Sequence, residues 1–65
     1  MRVELMWRMK GMETCKVRGK EFDSVKSATR AYKELKKLGE VEKAYLRRWR
    51  TWEYVFVKWL KKPEV

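Results

Sequence analysis

Sixty-five residues make at most one small domain, and 18 Lys+Arg against 9 Asp+Glu give it a formal net charge of +9. A chain this short hides only about 60% of its unfolded surface on folding, so its core is small and a homodimer is one route to more burial. Cys15 is the single cysteine and histidine is absent, which excludes an intrachain disulfide, a four-cysteine zinc site and the commonest general base.

The opening stretch MRVELMWRMKGM carries a charge at every second or third position and no long apolar run, so it does not read as a secretory signal. No segment approaches the roughly 18 apolar residues of a bilayer span. These features predict a soluble, intracellular protein with no membrane partner. From Val3 to Met9 the pattern alternates, placing Val3, Leu5, Trp7 and Met9 on one side and Glu4, Met6, Arg8 and Lys10 on the other, as in a half-buried strand. Gly11 ends it. Residues 13–17 (ETCKV) are the candidate second strand, with Cys15 and Val17 on the core side, and RGK at 18–20 reads as a turn around Gly19. Met1, Met6, Met9 and Met12 read as adaptable packing around the first strand.

The segment FDSVKSATRAYKELKKLG predicts a helix from about Val25 to Leu38. Asp23 or Ser24 supplies the N-terminal cap, and Val25, Ala28, Ala31, Tyr32, Leu35 and Leu38 recur at steps of three and four. Lys36 and Lys37 lie in the last turn, and Gly39 follows where a left-handed residue commonly closes a helix.

Two further strands are expected at Val41–Trp49 and Tyr54–Leu60. A register with Trp49 opposite Tyr54 also sets Arg50 against Glu53 and Glu42 against Lys61, two opposite-charge pairs. The same register pairs Leu46 with Val57 and Ala44 with Trp59, beside Val55, as an apolar patch for the helix. The loop RTWE lacks Gly and Asn, which favours four residues over a tight two-residue turn. The expected fold is α+β in two layers. An antiparallel sheet of three to four strands carries one helix on one face, in the order β-(β)-α-β-β, over residues 1–62, with a short tail from Pro63.

In that register the face away from the helix carries Tyr45, Arg47, Trp49, Tyr54, Phe56 and Lys58, joined by Arg2, Met6, Arg8 and Lys10 of the first strand. Rings interleaved with cations suit nucleic acid, since bases stack on flat rings and cations neutralise phosphates. The expected nucleic-acid-binding residues are therefore Arg8, Lys10, Tyr45, Arg47, Trp49, Tyr54, Phe56 and Lys58, with single strands or RNA favoured over duplex DNA. The competing structural account packs Trp49, Tyr54 and Phe56 against a second copy. A second basic stripe, Lys26, Arg30, Lys33 and Lys37, lies on the helix, where solvated lysines are ordinary and a duplex backbone is the functional alternative. With no Asn or Gln in the chain, the usual bidentate reader of adenine is missing, which predicts weak sequence specificity.

Scattered carboxylates, isolated glycines and the missing histidine point away from an enzyme, and no cofactor or metal site is expected. The alternative function is a small basic adaptor or inhibitor docking on an acidic protein surface, because Trp, Tyr and Arg also dominate protein–protein hot spots. Cys15 reads as a small buried apolar residue.

Overall fold

The computed structural model describes residues 2–11 and 18–63. Within them β1 (Val3–Met9), β2 (Arg18–Phe22), α1 (Val25–Leu38), β3 (Val41–Arg50) and β4 (Glu53–Lys61) follow one another along the chain. The strands form one antiparallel sheet in the order β2-β1-β3-β4. The helix packs on β1, β3 and β2, and β4 is the strand it covers least. This is the expected two-layer α+β architecture.

The alternation of β1 works as read. Val3 and Leu5 are buried beneath the helix, and Trp7 and Met9 pack beside them. The core is closed by Ala28 and Tyr32 from α1 and by Val41, Ala44 and Leu46 from β3. Ser24 caps the helix from an extended backbone, its hydroxyl oxygen accepting from the Ser27 amide at 3.1 Å. The helix periodicity holds at Ala28, Ala31, Tyr32 and Leu35, while the two ends of the stripe, Val25 at 37% and Leu38 at 82%, stay exposed.

Four local expectations are corrected. The RGK segment is no turn: Arg18, Gly19 and Lys20 pair with Trp7, Met6 and Leu5 as part of β2. A Cβ on Gly19 would meet the Met6 Sδ at 2.7 Å, so glycine there serves close approach between strands. The strand expected at 13–17, with Cys15, lies outside the described residues. Gly39 is extended (φ 171°, ψ −174°), so the helix runs straight into β3 without a left-handed cap.

The third and fourth corrections concern the hairpin. Its loop holds only Thr51 and Trp52, closed by the Arg50–Glu53 pair, and Thr51 takes φ 60°. A positive φ at the first of two loop residues matches the twist of the strands and usually calls for glycine. The register begins as expected, with Trp49 opposite Tyr54 and Arg47 opposite Phe56, and then slips. Irregularities between Leu46 and Arg47 and between Ala44 and Tyr45 set Leu46 against Lys58, Tyr45 against Trp59 and Ala44 against Lys61. Each extra residue on β4 is a bulge that swaps the faces beyond it. Trp59 therefore leaves the expected core side, while Val57 and Leu60 pack on the core. Glu42 does not meet Lys61.

Replacing Thr51 with glycine relieves the positive φ at a strain of order 1–3 kcal/mol, offset by roughly 0.5–1 kcal/mol of added chain entropy. T51G is expected to add about 1 kcal/mol to the unfolding free energy, seen as a higher urea midpoint, and an unchanged or lower midpoint contradicts the turn geometry. Leu46 is fully buried. Leu46→Ala is expected to cost about 2–5 kcal/mol, most of the roughly 3–10 kcal/mol available to a chain of this length. A cooperative unfolding transition little changed by L46A would contradict its place in the core.

Candidate functional site

All four strands build the uncovered face of the sheet, β2 setting Gly19 and Glu21 beside Met6 and Glu4. β1 contributes Glu4, Met6 and Arg8, β3 contributes Lys43, Tyr45 and Arg47, and these meet as direct cross-strand partners. β4 adds rings. Because the bulges turn Trp59 outward, Tyr45, Phe56 and Trp59 form one cluster, with centroid separations of 6.1, 5.5 and 5.5 Å and tilted or edge-on planes. Nearer the hairpin end, Trp49 and Tyr54 make an edge-on pair at 5.0 Å. Edge-to-face contact of this kind stabilises ring pairs by about 0.5–1.5 kcal/mol beyond their burial. The rings remain open to solvent all the same: Trp49 is 58%, Phe56 52%, Tyr54 45% and Trp59 38% exposed.

The cations of this face behave differently from the expectation. Arg47 donates to Glu4 through Nε at 2.8 Å, lies 2.6 Å from the same carboxylate through a terminal nitrogen, and sits over the Tyr54 ring at 3.6 Å. The Tyr54 hydroxyl reaches the other Glu4 oxygen at 3.5 Å. Arg8 grips Glu42 with two nitrogens at 2.7 and 2.8 Å. Lys10 pairs with Glu40 and Arg2 with Glu21, at 3.6 and 3.3 Å, both in the open. The Arg8–Glu42 pair is bidentate, and in the Arg47–Glu4 pair two guanidinium nitrogens converge on one carboxylate oxygen; such half-shielded pairs are ordered and charge-neutral, so Arg8 and Arg47 frame the sheet in preference to offering free charge.

Lys58, assigned to this face from sequence, stands opposite Leu46 and so leaves the β4 edge on the helix side. Lys61 does the same opposite Ala44. Together with Lys43, Arg50 and Lys62 they make no ion pair among the described residues. The rings are thus bordered by unpaired cations along the β4 edge and at both ends, and those cations are mostly not the residues expected. Trp59 was missed because only a bulge reveals which side it takes, whereas Lys43 and Lys61 keep the sides that strict alternation gives them and were not singled out. On the helix, Lys26, Arg30 and Lys33 line an open depression of about 330 Å³ with Thr29, while Lys37 pairs with Glu34 at 3.3 Å. Among the described residues no three of His, Cys, Asp and Glu converge on a point, and no helix is long and apolar enough to cross a membrane.

The Arg8 hydrogen bonds hold the Glu42 carboxyl below its ordinary value of 4.5 against the opposing effect of desolvation, with weaker charge attraction from Arg8, Lys43 and Lys10. A lowered folded-state pKa contributes stability above the unfolded value that is lost as pH falls through the folded one. Wild type should therefore lose this contribution on acidification below about pH 4.5, whereas Glu42→Gln should be less stable near neutrality and lose less over the same acid range. Parallel acid titrations of unfolding for the two proteins would show otherwise if the pair were idle.

No protein-family model matches this chain, and no curated protein or solved structure is significantly similar to it.

Proposed function

We propose that the protein is a non-enzymatic nucleic-acid-binding module that holds single-stranded segments on the outer face of β3 and β4. The observation that carries this reading is the strip of solvent-open rings beside cations without carboxylate partners. Bases would stack on Trp49, Tyr54, Phe56 and Trp59, each contributing about 1–3 kcal/mol without demanding a sequence. The sugar–phosphate backbone would run along the β4 edge, the strand that carries Lys58 and Lys61 on its helix side and Phe56 and Trp59 on its open side. Lys43, Arg50 and Lys62 would take phosphates at the two ends. In this arrangement Arg8 and Arg47 order the platform through their carboxylate partners and contribute little to phosphate binding.

A salt titration tests it. Neutralising about four phosphates of a single strand gives a log–log slope near −3, and removing both Lys58 and Lys61 should flatten that slope by about 1.4. Phe56→Ala should weaken binding by about 5–150-fold with the slope unchanged, since it removes stacking alone. Absence of binding at low salt rejects the reading.

A second reading draws on the paired cations. With Arg2, Arg8, Lys10 and Arg47 each matched to a carboxylate, the ring-bearing face is close to neutral, which permits a second copy to pack there despite the overall charge of +9. Sedimentation of the free protein separates the two: a stable dimer that dissociates only with F56A favours self-association over nucleic acid.

A further inference from the structure

The hairpin tip breaks two local rules at once. Trp52 is 80% exposed, the most exposed ring among the described residues, and the residue before it is a β-branched threonine held at φ 60°. Strained backbone persists where surrounding structure imposes it, and here the imposing structure is the paired neck, Arg50 with Glu53 and Trp49 edge-on to Tyr54 at 5.0 Å. The stiff neck projects a single flat ring beyond the end of the ring strip. Arg50, without an ion pair among the described residues, stands beside it.

We infer that Trp52 is a wedge for the boundary between single-stranded and duplex nucleic acid, stacking on the terminal base pair while the unpaired strand continues over Tyr54, Phe56 and Trp59. This deepens the reading of the ring strip as a single-strand platform and rests on it. A strip of rings accommodates bases that are already unstacked, and its end is where a duplex must stop. Inserted apolar side chains open base steps by this physics, exchanging base–base stacking for base–ring stacking. Insertion into a bilayer would need a broader apolar tip than one ring flanked by Thr51 and Glu53, whereas a gap between stacked bases is filled by one flat ring.

Anisotropy with three oligonucleotides of one sequence tests the wedge: a single strand, a blunt duplex, and a duplex with a single-stranded overhang. Wild type is expected to prefer the overhang, and Trp52→Ala to lose about 5–150-fold on it while keeping its single-strand affinity. A 2-aminopurine in the terminal pair should change its emission with wild type, through contact with the indole, and keep it unchanged with W52A. Equal losses on overhang and single strand, or no loss on the overhang, overturn the wedge while leaving the platform standing. Failure to bind any of the three removes the platform as well. A Trp-dependent blue shift on phosphatidylglycerol vesicles, with no overhang preference, also overturns the inference. The exposure of Trp52 makes loss of folding an implausible source of any change, and circular dichroism of W52A checks this directly.

Discussion

One helix of fourteen residues has to cover a four-stranded sheet, and it cannot. It buries a single face of β1, β3 and β2, and the remaining surface must be made stable without a second layer. Most of the molecule's unusual features follow from that shortage. The opposite face is held by lateral contacts within the sheet: carboxylates clamped by arginines, a cation over a tyrosine ring, and rings resting edge-on against their neighbours. Such contacts order a surface without sealing it, which is why the same face can be both well structured and available.

Charge is sorted by the same geometry. The carboxylate Glu4 on β1 and the carboxylate Glu42 at the start of β3 each consume an arginine of the uncovered face. Cations left over lie at the β4 edge, at the hairpin tip, at Lys43 by the opposite end of β3 and on the solvent side of α1. The positive surplus therefore surrounds the rings without sitting among them. A polyanion approaching this surface would meet its bases' partners in the middle and its phosphates' partners at the margin.

The helix, its serine cap, the first strand and the pairing near the hairpin end were legible in the sequence, because each rests on periodicity or on a local hydrogen bond that neighbouring residues determine. The faces of Lys58 and Trp59 were not. Strict alternation carries them to the wrong sides, and nothing in VFVKWLKK marks the two extra residues that reverse the count. Bulges arise from tertiary demands, here the need to bury both Val57 and Leu60 against the core. The tight turn was hidden for a related reason: Thr51 has no preference for its backbone angle, and the paired strands impose it. The place of β2 was obscured by Gly19, which resembles a turn residue in sequence and serves instead to let Met6 pass.

The bulges have a geometric consequence for the rings. Each one adds right-handed twist to the edge strand, and the rings around them, Tyr45, Phe56 and Trp59, meet at interplanar angles of 47–70° with no parallel ladder. A rigid planar molecule laid on such a spiral staircase would touch one step at a time. Only a pliable polymer, free to rotate about its own linkages between one unit and the next, could rest on every step together.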